Sequence, residues 1–370
     1  MLLERLSLAS FRNYPTLEWE PDSGLNLVVG ANAQGKSNLL EAIAMLATGK
    51  SFRTARESEL IRFGGALASV VGTARVAAGT LNLACTIAAP ASAGGVTRKS
   101  YMINGESVRY GHFLGSLKAV TFVPEDLALV SGPPALRRTM TNEALSLADV
   151  RYYHALARYR KAVLQKGALL RSEAVPDRDL LDTYDAALVA SGTPLVLARR
   201  HYLSAVGEGA ASLYGHWIPG ERFEVRYAPN VVYEAPTEPA VAAEFERRLA
   251  EQRPVEVARK RCLVGPHRDD VEFLLDGELL ARYGSQGQKR TAVLSLKLSE
   301  YAVLRDRTGE SPLLLLDDVL SELDPSRAAA LIDELGRVEQ TFITATQRPQ
   351  GSSFAAAVWA VERDAGVRRC

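Results

Sequence analysis

Gly30-Ala31-Asn32-Ala33-Gln34-Gly35-Lys36-Ser37 satisfies the pattern G-x-x-x-x-G-K-[ST] at each fixed position. The apolar run Leu25-Asn26-Leu27-Val28-Val29 leads into it, and an amphipathic helix predicted over Asn38 to Ala47 leads out. Strand, glycine turn and helix in that order make a cradle for phosphate, because the backbone N–H groups of the turn and the positive end of the helix face the same anion. Gly30, Asn32, Gly35 and Asn38 lie along the cradle. Lys36 is placed to neutralise β and γ oxygens, and Ser37 to offer its hydroxyl to Mg²⁺. The expected ligand is a nucleoside triphosphate with Mg²⁺.

Such a loop needs a carboxylate from a neighbouring strand to complete the metal shell. Leu313-Leu314-Leu315-Leu316-Asp317-Asp318 reads as a buried strand ending in two acids. Asp317 would ligate Mg²⁺, directly or through water, and Asp318 would orient or deprotonate the attacking water. Between the loop and the acids, Gly284-Ser285-Gln286-Gly287-Gln288-Lys289-Arg290 opens a helix with apolar Val293, Leu296 and Leu298. Ser285, Gln286, Gly287 and Gln288 there form a second anion site, made of exposed N–H groups and a hydroxyl. Ser321-Glu322-Leu323-Asp324 follows the acids.

That order of motifs resembles the ABC-type ATPases, and the wording of the motifs is similar to that of the bacterial RecF recombination mediators. The resemblance rests on Phe11-Arg12-Asn13-Tyr14, Asn32 through Ser37, Phe122-Val123-Pro124-Glu125-Asp126-Leu127, Gly265-Pro266-His267-Arg268-Asp269-Asp270, Gly284 through Thr291, and Leu315 through Asp324, and so covers essentially the whole chain. It implies an α/β fold: an ABC-type ATPase head, a mixed β-sheet lobe around a P-loop core, with an inserted helical lobe. It also implies an ATP-dependent homodimer in which Ser285 of one copy closes over the γ-phosphate held by Lys36 of the other. Asp318, Lys36 and Ser285 would then carry a slow hydrolysis that releases the clamp. The implied partners are duplex DNA beside single-strand gaps and RecR, with RecO and RecA downstream. Three departures stand out. Asp318 occupies a position where many ABC ATPases carry Glu. No histidine ends the strand Thr341 to Thr346, which leaves Thr344 or Thr346 as the γ-phosphate switch. Arg137 to Asn142 is more polar than the family pattern, with Asn142 where Asp is usual.

Length and composition agree with this organisation. The 370 residues exceed what one core usually supports, and 47% hydrophobic with 24% charged residues excludes disorder and fibres. Expected domains are 1–126 (first half of the head), 127–255 (helical insert) and 256–370 (second half of the head). Strands are predicted over Leu2 to Ala9, Leu67 to Arg75, Thr80 to Ala88, Ser100 to Ile103 and Ala119 to Val123, with Asn104-Gly105 making a type I′ hairpin. Ala91-Ser92-Ala93-Gly94-Gly95 reads as a mobile loop. In the insert, Tyr152, Leu156, Tyr159 and Val163 mark one helix, and Tyr184, Leu188, Leu195 and Tyr202 a second, too short for a protruding coiled coil. Arg222 to Tyr227 reads as a strand and Val241 to Arg253 as a helix. Cys85, Cys262 and Cys370 fit neither a disulfide framework nor a metal pair. The charged Met1-Leu2-Leu3-Glu4-Arg5 start and the lack of a long apolar run point to the cytoplasm, without a membrane partner.

A net charge of +1 means that affinity for DNA must come from local clusters. Arg151 to Arg171 carries six basic residues and no acid, including Arg158, Arg160 and Lys161, and Arg199-Arg200-His201 extends the same expected surface. Lys50, Arg53 and Arg56, with Arg12, form a second candidate. Zinc-finger spacing and an aromatic platform are both missing, so recognition of backbone and shape is expected. His267 beside Asp269 and Asp270 lacks a ligand set and is expected to be a hydrogen-bonded structural residue. A transporter ATPase, an SMC or Rad50 subunit not specific to gapped DNA, and a scaffold that binds nucleotide without hydrolysing it are the competing readings.

Overall fold

The computed structural model describes residues 1–90, 95–172, 176–348, 356–362 and 366–370. The loop expected at Ala91 to Gly95 therefore falls, for residues 91–94, outside the described residues. The chain divides into two compact units, Met1–Asp126 with Glu300–Cys370, and Leu127–Ser299.

In the first unit, a six-stranded sheet runs in the order Gly366–Arg369, Ala356–Glu362, Leu25–Val29, Thr341–Ala345, Leu313–Leu316, Ala119–Phe122. Its pairings are parallel except the first. Leu313–Leu316 is buried at every residue, as a central parallel strand covered on both faces requires. The parallel register sends the carboxyl ends of Leu25–Val29 and Leu313–Leu316 to the same edge, with Thr341–Ala345 between them. Ligands of open α/β sheets bind at that edge.

A second six-stranded sheet, antiparallel throughout, runs Tyr14–Trp19, Leu2–Phe11, Leu67–Val76, Gly79–Ala88, Arg98–Ile103, Glu106–Val108. Asn104 (φ 50°) and Gly105 (φ 84°) take the left-handed conformations that the hairpin demands. The helix Lys36–Thr48 shares one core with both sheets: Leu39, Ile43 and Leu46 cluster with Val70, Leu83 and Ile87 and with Leu313, Leu315 and Phe342. The N-terminal amine lies 2.9 Å from Glu339 Oε2 and from the carbonyl of Ser311, which ties the first residue to the second half of the head.

The second unit contains the helices Pro134–Ala148, Val150–Arg171, Arg178–Trp217 and Glu238–Arg259. Its helices are longer than the spacing predicts, 22 residues for the second and 40 for the third. The expected boundary at 255 is displaced to 299, inside the helix Gln286–Thr308. Strand pairing explains the shift, because Phe223–Ala228 of the insert hydrogen-bonds to Asp270–Leu275. Buried charges add to it. Arg199 (3% exposed) donates to Asp269 Oδ2 at 2.7 Å, and Tyr227 OH and the N–H of Asn230 donate to the same carboxylate. Arg199 is therefore a core residue and does not extend a basic surface.

Arg137 to Asn142, the stretch that departs from the family pattern, lies within the helix Pro134–Ala148. Arg137 makes a two-pronged pair with Asp270, and Asn142 Oδ1 accepts from Tyr152 OH (2.7 Å) and Arg199 (2.9 Å). A neutral amide suffices there because the buried guanidinium already has Asp269 as its counter-charge. Lys166 is also withdrawn from the expected basic face: it is fully buried, 2.5 Å from both Asp185 and Glu256.

His267 Nδ1 lies 2.6 Å from Tyr159 OH, the structural role expected for it. Burial pushes its pKa down to about 4, with the Cys262 carbonyl opposing. The folded imidazole stays neutral while the unfolded one titrates near ~6.5, so between these values the unfolded chain binds more protons. The stabilisation is complete above about pH 6.5 and disappears as pH falls towards 4. Replacing His267 by Gln is expected to flatten the fall of the unfolding free energy over that window, read from urea titrations at each pH, by up to about 3 kcal/mol relative to the parent chain.

Candidate nucleotide site

Gly30 leaves its strand with its N–H on the carbonyl of Ala345 (3.3 Å), and a Cβ there would lie 2.6 Å from the carbonyl oxygen of Val361. Only glycine fits. Gly35 takes φ 118°, and Ala33 is left-handed as well, which turns the loop tightly before the helix begins at Lys36. The Phe-Arg-Asn-Tyr segment braces the turn: Asn13 Nδ2 donates to the Gln34 carbonyl (2.9 Å), and Tyr14 OH donates to that of Gly35 (3.1 Å). Asn38 Nδ2 in turn donates to Asn13 Oδ1. Sequence reasoning recorded Asn13 and Tyr14 only as part of a family hallmark. Both donate into loop carbonyls and so fix the shape of the turn.

Lys36 is folded onto its own loop and donates to the carbonyls of Gly30 (2.7 Å) and Ala31 (3.0 Å). Burial lowers its pKa, opposed by Asp318 and then Asp317. A polyphosphate would offer this ammonium stronger acceptors than two carbonyls. Ser37 Oγ donates to Asp317 Oδ1 at 2.9 Å, across 280 residues of sequence. These adjacent oxygens are the hard donor set that suits Mg²⁺. Asp318 adopts a left-handed φ of 50°, and its Oδ1 is buried without a hydrogen-bond partner among the described residues. Asn32 is exposed on the loop.

Of the two candidate switch residues, Thr344 is fully buried. Its hydroxyl donates to Asp317 Oδ1 (2.7 Å) and accepts the N–H of Asp318 (2.8 Å). Thr346 is exposed and lines an open cleft of about 640 Å³ with Gly30, Ala31, Gln34, Arg348 and Glu362.

The serine turn belongs to the second unit. Ser285 N–H donates to Gln288 Oε1 (2.8 Å) and Gln288 N–H to Ser285 Oγ (3.2 Å), a reciprocal capping box. Gln288 Nε2 also donates to Glu221. The turn is thus preformed, with Ser285 and Gln286 exposed and Gly287 half-buried. Downstream of the acids, Asp324 caps the helix Pro325–Leu335 by accepting from Ser326 and Arg327 N–H groups.

The family model for the RecF/RecN/SMC N-terminal domain matches residues 2–368. The chain is 38% identical over 351 residues to the DNA replication and repair protein RecF of Limosilactobacillus fermentum, covering 94% of this chain and 92% of that one. Its identity to the protein of the same name from Symbiobacterium thermophilum is 41% over 353 residues, with 94% and 92% covered. This chain belongs to the RecF family. Among solved structures, RecF with ATP, described as a recombination mediator of the RecFOR pathway, superposes with a TM-score of 0.90 at 33% identity, covering 100% of this chain and 97% of that one. An Smc head domain from Pyrococcus furiosus shares the fold at a TM-score of 0.58 and 16% identity, with 100% and 96% covered.

The basic residues expected to meet DNA are distributed over both units. Arg12 is committed internally. Its Nε and NH2 donate to the two oxygens of the fully buried Glu41 (2.8 and 2.7 Å), and Ser51 Oγ donates to the same carboxylate. Lys50, Arg53 and Arg56 are exposed: Lys50 lies over the Tyr110 ring, Arg53 donates to Asn38 Oδ1, and Arg56 is 3.9 Å from Glu59. In the second unit Arg158, Arg160 and Lys161 are all exposed, and none forms an ion pair among the described residues. No described helix is long and apolar enough to cross a membrane.

Proposed function

We propose that the chain is an ATP-dependent DNA clamp of recombinational repair, closing as a homodimer on duplex DNA beside single-strand gaps. The observation that carries this reading is the contact of Ser37 with Asp317, which joins the phosphate loop to the acid pair in one oxygen-lined site. ATP would be the substrate. Its phosphates would take the N–H groups of the loop and the ammonium of Lys36, which would release the carbonyls of Gly30 and Ala31. Mg²⁺ would be held by Ser37 and Asp317, where it offsets the charge of the triphosphate. Asp318, with an unpartnered buried oxygen, would orient or deprotonate the attacking water, and Thr346 at the cleft would contact the γ-phosphate. Asp318 is one methylene shorter than Glu, which suits slow turnover that acts as a timer.

The exposed Ser285 turn is unsuited to act alone: an anion site with so few contacts gains strength when it shares its anion with a second protein surface. Ser285 and the N–H groups of Gln286 and Gly287 would close on the γ-phosphate held by a second copy. If each trapped nucleotide favours closure by about 2 to 3 kcal/mol, two together shift dimerisation by roughly 10³ to 10⁴ fold. Lys50, Arg53 and Arg56 on the head and Arg158, Arg160 and Lys161 on the helical unit would meet DNA phosphates without reading bases. RecR would be the protein partner, with RecO and RecA acting afterwards.

Sedimentation with Mg-ATP is expected to give dimers for the parent chain and monomers for Ser285→Arg and Lys36→Arg. Unchanged dimerisation of both variants would remove the shared-nucleotide mechanism. Reversal of Arg158, Arg160 and Lys161 to Glu is expected to weaken duplex binding and to lower the slope of log K against log salt by about 2 to 3. A superimposable salt titration would return those residues to a merely solvated helix face.

A further inference from the structure

Thr344 sits on the strand between the loop strand and the acid strand, where its side chain reaches both acids. Its hydroxyl uses both of its capacities there. The proton goes to Asp317 Oδ1 (2.7 Å), and a lone pair takes the N–H of Asp318 (2.8 Å). Asp317 Oδ1 is the same oxygen that accepts from Ser37 (2.9 Å), so the carboxylate is held from two sides. The next residue, Ala345, receives the N–H of Gly30 at the start of the phosphate loop. Two residues of one strand thereby fix the loop on one side and the acids on the other.

The consequence falls on Asp318. Its left-handed φ of 50° is unfavourable for a residue with a side chain, and is found where surrounding bonds enforce it. The bond from its N–H to the buried Thr344 hydroxyl is such a constraint. It leaves the carboxylate with Oδ1 buried and without a hydrogen-bond partner among the described residues, ready to accept from water. A valine at 344 would keep the shape and remove both bonds; a serine would keep both.

We propose that Thr344 is a positioning residue for ATP hydrolysis, setting Asp317 and Asp318 in register through one shared hydroxyl, and that it is not the γ-phosphate switch. The proposal rests on the ATPase reading above. Full buriedness separates Thr344 from any direct contact with nucleotide, and its action passes through the two acids.

The test compares Thr344→Val and Thr344→Ser in the full chain for turnover, KM for ATP, Mg-ATP-driven dimerisation and melting temperature. Thr344→Val is expected to lose about 10 to 100 fold in kcat, with KM changed by less than about threefold and dimerisation retained. Thr344→Ser is expected to keep turnover within about threefold of the parent. Wild-type turnover in the valine chain, equal impairment of serine and valine, or joint loss of dimerisation and turnover in the valine chain would each overturn the proposal. Should the valine chain fail to fold, Thr344→Ala is measured by the same criteria, its smaller side chain fitting the same space. A parent chain that neither dimerises with nor hydrolyses ATP overturns the ATPase reading itself, and is distinguished by failing before any variant is compared.

Discussion

One hydrogen bond between residues 280 positions apart, Ser37 to Asp317, fixes what the head can be. It exists because Leu25–Val29, Thr341–Ala345 and Leu313–Leu316 are parallel neighbours, so the glycine loop and the acid pair emerge at the same sheet edge. Neither half could make the site alone, since the loop lacks a carboxylate and the acids lack a cradle for phosphate. Both chain ends must therefore meet before nucleotide chemistry is possible. The amine of Met1, held by Glu339 and the Ser311 carbonyl, belongs to the same closure.

The second unit has a different organising constraint. Its buried charges, Arg199 with Asp269 and Lys166 with Asp185 and Glu256, are each matched by carboxylates and by further hydrogen bonds. Such pairs contribute little net stability compared with apolar replacements, but removing one partner leaves a costly isolated charge. They join segments distant in sequence and so define which helices and strands pack together. The exposed basic residues on the helix Val150–Arg171 are those this network leaves outside.

The legible parts of the sequence were those governed by local periodicity or by a loop with fixed chemistry. The phosphate loop, the strand Leu313–Leu316 and the Asn104-Gly105 hairpin appear as read, because each is specified within a few residues. Strand Ala356–Glu362 was missed: its alanine-rich sequence has weak β propensity and is held by pairing with Leu25–Val29. Lys166 and Arg199 looked like surface charges because their carboxylates lie far along the chain. The boundary at 299 was hidden for the same reason, since no composition change marks the pairing of Phe223–Ala228 with Asp270–Leu275. At the candidate site, the loop and acid motifs that meet through Ser37 and Asp317 stand out in the sequence, while the bracing by Asn13 and Tyr14 and the bridging by Thr344 depend on neighbours that only the folded sheet supplies.

The central claim is that a phosphate loop from one copy and a serine turn from another share a nucleotide. Mixing two singly inactive chains, Lys36→Ala and Ser285→Arg, tests it most directly, because their mixed dimer contains one site with an intact loop and an intact serine. ATP turnover should reappear on mixing and rise with the fraction of mixed dimers. A mixture as inactive as either chain alone, under conditions where parent chains turn ATP over, would contradict the account.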